Sequence, residues 1–294
     1  MPTHVWAVAD RAGNTASRSV TYALATTATL TAFGACPGPS GGPAGVLSKY
    51  GAKASVRGFV SGGFGSAVAR PASASVVHWS WKPALGSTIT DAQLITAFAN
   101  LRDGDLVEVW HESDVKYRKG DDLAAMLAMK NQFHDRVVAL RNAGRIAQVL
   151  TVNTWAGWSV DSTSGVNPSN LHCRADLLGI DMDGIPANDR FYPFVARQMG
   201  AKFVAAYKAG GYTGWSVPEF CMAAVPADPD HSKRVAWLTS EVDTIAQGIP
   251  AQGVPAPVMI AWFDTGGPLA PYEDNGLTQP SEITAWSARV AQNG

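Results

Sequence analysis

LVEVWHESD, residues 106–114, decides how the chain is read: an apolar run that keeps the strand period delivers a His-Glu pair, His111 and Glu112, at its carboxyl end. A second run, GWSVPEFC at 214–221, reads as another strand and carries Glu219 close to its end. Barrels of alternating strands and helices assemble their sites at the carboxyl ends of the strands, so two glutamates about a hundred residues apart on two such strands suit a (β/α)8 barrel.

Working outward, six more strand-like runs flank these two. They are 29–36 (TLTAFGAC), 55–61 (SVRGFVS), 75–81 (SVVHWSW), 146–155 (IAQVLTVNTW), 176–185 (DLLGIDMDGI) and 257–264 (PVMIAWFD). Helical patterns fall between them at 44–50, 90–101, 121–142, 191–208 and 230–247, with a last one at 281–292. The long 121–142 segment sets Leu123, Met126, Leu127, Phe133, Val137, Val138 and Leu140 on a helical period and ends at Gly144. The Gly-rich stretch after the second strand is too short for a full helix, and the one after the fifth is polar and aperiodic. Several strands are near-continuous apolar runs, as strands covered on both faces must be. The fold class expected is therefore α/β, a (β/α)8 barrel over 29–294, and no GxGxxG follows the first strand to suggest a dinucleotide.

Residues 1–28 read differently: HVWAVAD, a turn at RAGN, and TASRSVTYAL alternate in the strand period of a β-hairpin. This stretch resembles the last two strands of a bacterial immunoglobulin-like domain. A hairpin buries no sandwich core alone, so it is either the tail of a domain truncated upstream or a hairpin closing the bottom of the barrel.

The formal net charge is -1 and only 16% of residues are charged, which leaves no basic field for nucleic acid. No apolar run is long enough to span a membrane, and the amino terminus has no signal-peptide pattern. Cys36, Cys173 and Cys221 lack CxxC spacing, so no zinc site is expected; one disulfide plus a free thiol and three free thiols are equally open. Ten Trp residues, several beside strand ends, favour flat amphipathic ligands such as sugars.

Polar and aromatic residues near the strand ends are Cys36, Arg57, Ser61, His78, Trp79, Ser80, Trp81, His111, Glu112, Asn153, Trp155, Asp181, Asp183, Glu219, Trp262, Phe263 and Asp264. Trp79, Trp81, Trp155 and Trp158 are candidate sugar platforms, with at least one of them packing instead. His78 is either core or a partner for a sugar hydroxyl. Glu108 lies on the face of its strand that Glu112 continues, deeper in the barrel, and Arg57 either pairs with it or reaches Glu219 and keeps that carboxylate ionised. Asp181 and Asp183 read either as paired carboxylates of a different mechanism or as a cation site, for which two aspartates without further oxygen ligands make a poor case. No GxSxG elbow is present, and Lys82 is the one lysine near a strand end that a Schiff-base lyase could use.

Retaining glycoside hydrolysis needs one carboxyl group to protonate the leaving oxygen and another, ~5 to 5.5 Å away, to attack the anomeric carbon. With Glu112 on the fourth strand and Glu219 on the seventh, the chain resembles the clan A glycoside hydrolases. His111-Glu112, where most of the clan has Asn-Glu, is similar to family 26, the β-mannanases and their relatives. WSVPEFCMAAVPADPDHSKRVAWL is similar to the strand-seven ending of the clan, and Trp262 matches an aromatic often placed on strand eight beneath the sugar. The chain departs from family 26 in Ser113-Asp114-Val115, where a Gly and a Trp-rich run are usual, and in having Asp181 and Asp183 where a Tyr is expected.

The resemblance implies a retaining endo-glycosidase acting on mannan-like polymer, xylan, glucan or microbial cell-wall glycan. Glu112 would be the general acid/base, Glu219 the nucleophile, and His111 would orient the carboxylates or bind substrate. It further implies no cofactor, no metal, a polysaccharide or oligosaccharide as partner, and a monomeric barrel within a longer extracellular product, secreted or on a phage virion. The alternative from another class is a carbohydrate-binding barrel without catalysis.

Overall fold

The computed structural model describes residues 3–9, 15–21, 31–37, 42–118, 120, 122–161, 165–184, 197–264 and 276–293, with backbone alone at 3–9, 15–21, 37, 116–118, 183 and 184. Strands β1 (Thr3–Ala9) and β2 (Thr15–Thr21) pair antiparallel from Thr3↔Thr21 to Ala9↔Thr15. The expected turn at 11–14 lies outside the described residues.

The rest builds a closed, all-parallel barrel of eight strands: β3 (Ala32–Pro37), β4 (Ser55–Val60), β5 (Val77–Trp81), β6 (Leu106–Val109), β7 (Leu150–Ala156), β8 (Leu177–Gly184), β9 (Gly214–Met222) and β10 (Met259–Asp264). Each lies within or against a run read as a strand, and β10 closes the ring on β3 from Met259↔Ala32 to Asp264↔Pro37. The approach of β3 to β4 requires Gly34, because a Cβ there would sit 1.9 Å from the Ser55 carbonyl oxygen.

Seven helices are seen among the described residues: α1 (Gly42–Tyr50), α2 (Asp91–Ala97), α3 (Ser113–Arg118), α4 (Leu123–Asn142), α5 (Ala201–Ala209), α6 (Ser232–Gln247) and α7 (Pro280–Val290). Thr90 and Gln93 form a reciprocal capping box that starts α2, and the Asp122 side chain caps α4 at Ala125 N. Helix α2 stops earlier than its periodicity predicts, since Phe98 turns in against Trp81 and Asn100 Nδ2 donates to Val68 O at 2.9 Å. Helix α3 was not expected; it begins directly after Glu112. Residues 61–76 carry no helix, as expected, while 191–196 of the fourth predicted helix lie outside the described residues. No helix among the described residues is long and apolar enough to cross a membrane.

Two apolar nuclei result. The larger fills the shell between strands and helices, where Val56, Val107, Ile180 and Val217 meet Phe98, Phe133, Phe203 and Trp286. The smaller, Leu106, Val152, Leu177, Met259 and Ala261, plugs the lumen towards the amino ends of the strands, as side-chain layers do in such barrels. Above that plug the lumen turns polar.

Candidate active site

Strand side chains alternate faces, so the plug residues fix which positions face the lumen. On β4 the lumen phase is Arg57 and Phe59; on β5, His78 and Ser80; on β6, Glu108; on β7, Thr154; on β8, Asp181. The opposite phase faces the helices.

Arg57, His78 and Glu108, on three consecutive strands and all fully buried, form one cluster. Arg57 Nη2 donates to Glu108 Oε1 at 2.6 Å, and His78 Nε2 lies 3.2 Å from the same oxygen without hydrogen-bond alignment. Arg57 thus takes Glu108 as its partner, one of the two roles read for it. Burial drives the Glu108 carboxyl up, but Arg57, His78 and His111 outweigh this and hold it well below the usual carboxylate range. Burial, with Arg57 adding to it, lowers the His78 pKa to about 4, so its ring is neutral at pH 7.

That shift has a sign that can be tested. Between about pH 6.5 and pH 4 the unfolded chain takes up a proton at residue 78 that the folded chain refuses. Stability therefore falls on acidification through this window, by roughly 3 kcal/mol from this group. Urea unfolding midpoints at pH 7 and pH 4.5 should drop less for His78→Gln than for wild type; equal drops would contradict the assignment.

Strand β6 ends in an unusual backbone. Trp110 and Glu112 both take left-handed φ values, 52° and 48°, which bulky side chains rarely adopt and which cluster at functional sites. The conformation is pinned: Trp110 N donates to Trp81 O at 3.0 Å, its Nε1 to Pro83 O at 3.0 Å, and Glu112 N to Thr154 O at 3.1 Å. His111 Nδ1 is hydrogen-bonded to Ser80 Oγ at 3.1 Å, and its ring sits 4.9 Å from that of Phe59. His111 and Glu112 remain half-buried at the mouth.

Glu219 reaches the lumen by a different device. Between Val217 and Phe220 strand β9 spends one residue more than β10 and one more than β8: Ile260 and Trp262 face Val217 and Phe220, while Gly179 and Met182 face Ser216 and Phe220. This is a β-bulge at Pro218–Glu219, a place where the missing N–H of proline breaks no regular ladder. Trp215 and Val217 belong to the helix shell. Plain alternation from them would send Glu219 there too; the bulge instead gives Phe220 to the shell, stacked on Trp237, and leaves Glu219 on the lumen side.

Asp181, in the lumen phase of β8, is the group on which both glutamates act. It is fully buried, and neither carboxylate oxygen has a hydrogen-bond partner among the described residues. Burial first, and then the charges of Glu219 and Glu112, push its pKa well above the usual range and so favour its protonated form. The folded chain holds this proton while the unfolded chain releases it above about pH 3.9, so the group lowers stability as pH rises from there. Asp181→Asn should accordingly gain stability relative to wild type as pH rises above about 4 in urea titrations, and a pH-independent difference would rule this out. Burial, then the charge of Glu219, also raises the Cys36 thiol, which makes it a poor nucleophile.

Several expected site residues lie elsewhere. Trp81 is packed between Phe64 and Phe98, at 5.2 and 5.4 Å, on the helix side of β5. Trp79 shares that face, lying over Gly58, where a Cβ would come within 2.5 Å of its ring. Asn153 is held in the shell by Lys130 Nζ at 2.9 Å, Leu171 O at 3.1 Å and Tyr212 Oη at 3.0 Å, and the buried Trp155 packs edge-on against His172. Trp262 is sealed among Phe220, Trp286 and Arg234. These five are corrections: a residue of the right type near a strand end serves the lumen only in the right phase. Of Asp183 the backbone register opposite Cys221 is described, and its side chain lies outside the described residues. Lys82 is exposed with its ammonium 4.9 Å from the Trp110 ring centroid. All three cysteines are free and buried.

One aromatic at the mouth, Phe59, escaped the sequence reading. Phe59 is 41% exposed at the mouth, stacked on Arg57 and beside His111. Phe263, half-buried, is the ring that β10 carries in phase with the lumen residues Met259 and Ala261. Counting in twos from Arg57 finds Phe59.

Among the described residues no group of three or more His, Cys, Asp and Glu side chains is arranged to hold a metal ion. Compared with known proteins, the chain matches no protein-family model and no curated protein.

Proposed function

We propose that the barrel is a retaining glycoside hydrolase that cleaves a β-linked polysaccharide by double displacement. The observation that carries this is that Glu112, just past the end of β6, and Glu219, on the bulge of β9, both act electrostatically on the buried Asp181. Glu219 attacks the anomeric carbon as Glu112 gives its proton to the departing glycosidic oxygen. Glu112, now a carboxylate, then takes a proton from water as that water displaces Glu219 and frees the sugar. The elements that hold the pair are costly local features, a left-handed Glu112 and a bulge at Glu219, which supports a catalytic over a merely structural use.

Phe59 offers an exposed ring face to a pyranose, and His111 beside it offers a hydrogen-bonding edge. Water and substrate suffice for the reaction, so no cofactor enters. A polymeric glycan as substrate goes with an extracellular setting. The antiparallel β1 and β2 fit the end of an immunoglobulin-like module carried with the barrel.

The test is reducing-sugar release from mannan, xylan, mixed-linkage glucan, β-1,3-glucan and actinobacterial arabinogalactan, with wild type, Glu112→Gln and Glu219→Gln. Activity on one polymer, lost in both variants, is expected. The 7% exposure of Glu219 also suits a barrel that binds glycan at its mouth without cleaving it. A folded wild type that cleaves none of the polymers yet is retained by one selects that second function.

A further inference from the structure

A concavity lies at the carboxyl end of the barrel, beyond β6 and β7. It encloses about 220 Å³ and has an apolar floor of Leu123 and Leu171, with Trp158, Asn167, Asn170 and Asp114 around it. That volume is below the ~300 to 1,000 Å³ of pockets for drug-sized ligands, so it takes a single ring. Its walls are fixed by Asp114, which stands two residues after Glu112 on α3. The Asp114 carboxylate accepts hydrogen bonds from Ser159 Oγ and from Ala156 N at 3.1 Å, tying α3 to the turn that carries Trp158. The cavity and Glu112 are thereby joined through one short helix.

The chemistry of its lining is specific. Trp158 is half-buried and lines the cavity. Asn167 Oδ1 is engaged by Ser169 N and Ser169 Oγ, at 3.1 and 2.8 Å, but its Nδ2 has no hydrogen-bond partner among the described residues. The amide of Asn170 has none there either, and both asparagines are exposed at the rim. An indole face over an apolar floor, with two unengaged amides at the edge, complements a pyranose, which is apolar on its C–H faces and carries hydroxyls around its rim. Among the described residues no lysine or arginine lines the cavity, which disfavours a phosphate or a carboxylate.

We propose that this cavity is a distal sugar subsite, in which one ring of the glycan stacks on Trp158 and hydrogen-bonds to Asn167 and Asn170. The proposal rests on the polysaccharide-processing function above and adds where a remote part of the chain is held. Binding there contributes through positioning, since energy from remote parts of a substrate can be used to hold the scissile bond in place.

The experiment is calorimetric titration of the full chain with manno-, xylo-, cello- and laminarihexaose, together with hydrolysis of the same hexaoses. Wild type is compared with Trp158→Ala, Trp158→Phe and Asn170→Ala. At least one hexaose should bind wild type, about tenfold or more weaker to Trp158→Ala, with much of the affinity kept by Trp158→Phe. The kcat/KM of that hexaose should fall in parallel, while that of an aryl monosaccharide, too short to reach the cavity, stays unchanged. Equal affinity of wild type and Trp158→Ala, or no binding of any hexaose, would overturn the subsite. Hydrolysis that is indifferent to Trp158 sinks the subsite and leaves the glutamate pair standing. Trp158-dependent binding without hydrolysis keeps the subsite and overturns the catalytic function.

Discussion

Glu219→Gln should reduce hydrolysis by about 10⁴-fold or more, because removal of a nucleophile collapses the whole two-step route rather than weakening one interaction. The amide matches the carboxylate in shape, so the bulge at Pro218–Glu219 and the packing of Phe220 on Trp237 should persist. Glu112→Gln should also be severe on natural polymer but milder on an aryl glycoside with a good leaving group, which needs no proton in the first step. The two variants are then separated by azide. With Glu112→Ala, azide should restore turnover by attacking the glycosyl-enzyme, yielding a glycosyl azide of retained configuration. With Glu219→Gly, it should attack the substrate in place of the missing nucleophile and yield the opposite anomer. Product configuration by proton NMR checks both assignments, and swapped outcomes would mean that the two roles are reversed.

The second large effect concerns stability. Glu108→Leu strands the fully buried Arg57 guanidinium, and loss of one partner from a buried pair costs about 3–5 kcal/mol. Pairing it with Arg57→Met should recover most of that loss, since a well-packed apolar pair replaces two charges that were both taken out of water. Chemical denaturation of the two single variants and the double variant measures the coupling. A double variant as unstable as the sum of the singles would show that Arg57 and Glu108 do not act as a pair.

Much of the barrel is legible in the sequence. Strands covered on both faces must be apolar throughout, so SVVHWSW, IAQVLTVNTW and DLLGIDMDGI announce themselves, and Thr90 with Gln93 marks a helix start without any tertiary information. The facing of side chains is less legible. Arg57, His78 and Glu108 mark the lumen phase because the buried polar groups need one another. Counting from His78 would already have sent Trp79 and Trp81 to the helices, and counting from Arg57 would have found Phe59. Proximity to a strand end is the weaker guide, as Trp155, Trp262 and Asn153 demonstrate.

Glu219 lies beyond even the phase rule. Alternation from Trp215 and Val217 places it in the helix shell, and only the extra residue in β9, set by pairing with two neighbours, returns it to the lumen. Pro218 is the sole local hint. The left-handed turns at Trp110 and Glu112 are likewise invisible locally, because nothing in LVEVWHESD favours positive φ; contacts with Trp81, Pro83 and Thr154 impose it. The two glutamates are thus presented by tertiary pairing, although their residue types stand plainly in the sequence.

The most direct measurement of the central claim is the configuration of the first product. Hydrolysis of the polymer that gives reducing sugar is followed by proton NMR from the moment of mixing, before the released hemiacetal mutarotates. A double displacement through Glu219 predicts that the β-anomer appears first and equilibrates later. First appearance of the α-anomer would show inversion by a single displacement and contradict the assignment of Glu219 as nucleophile.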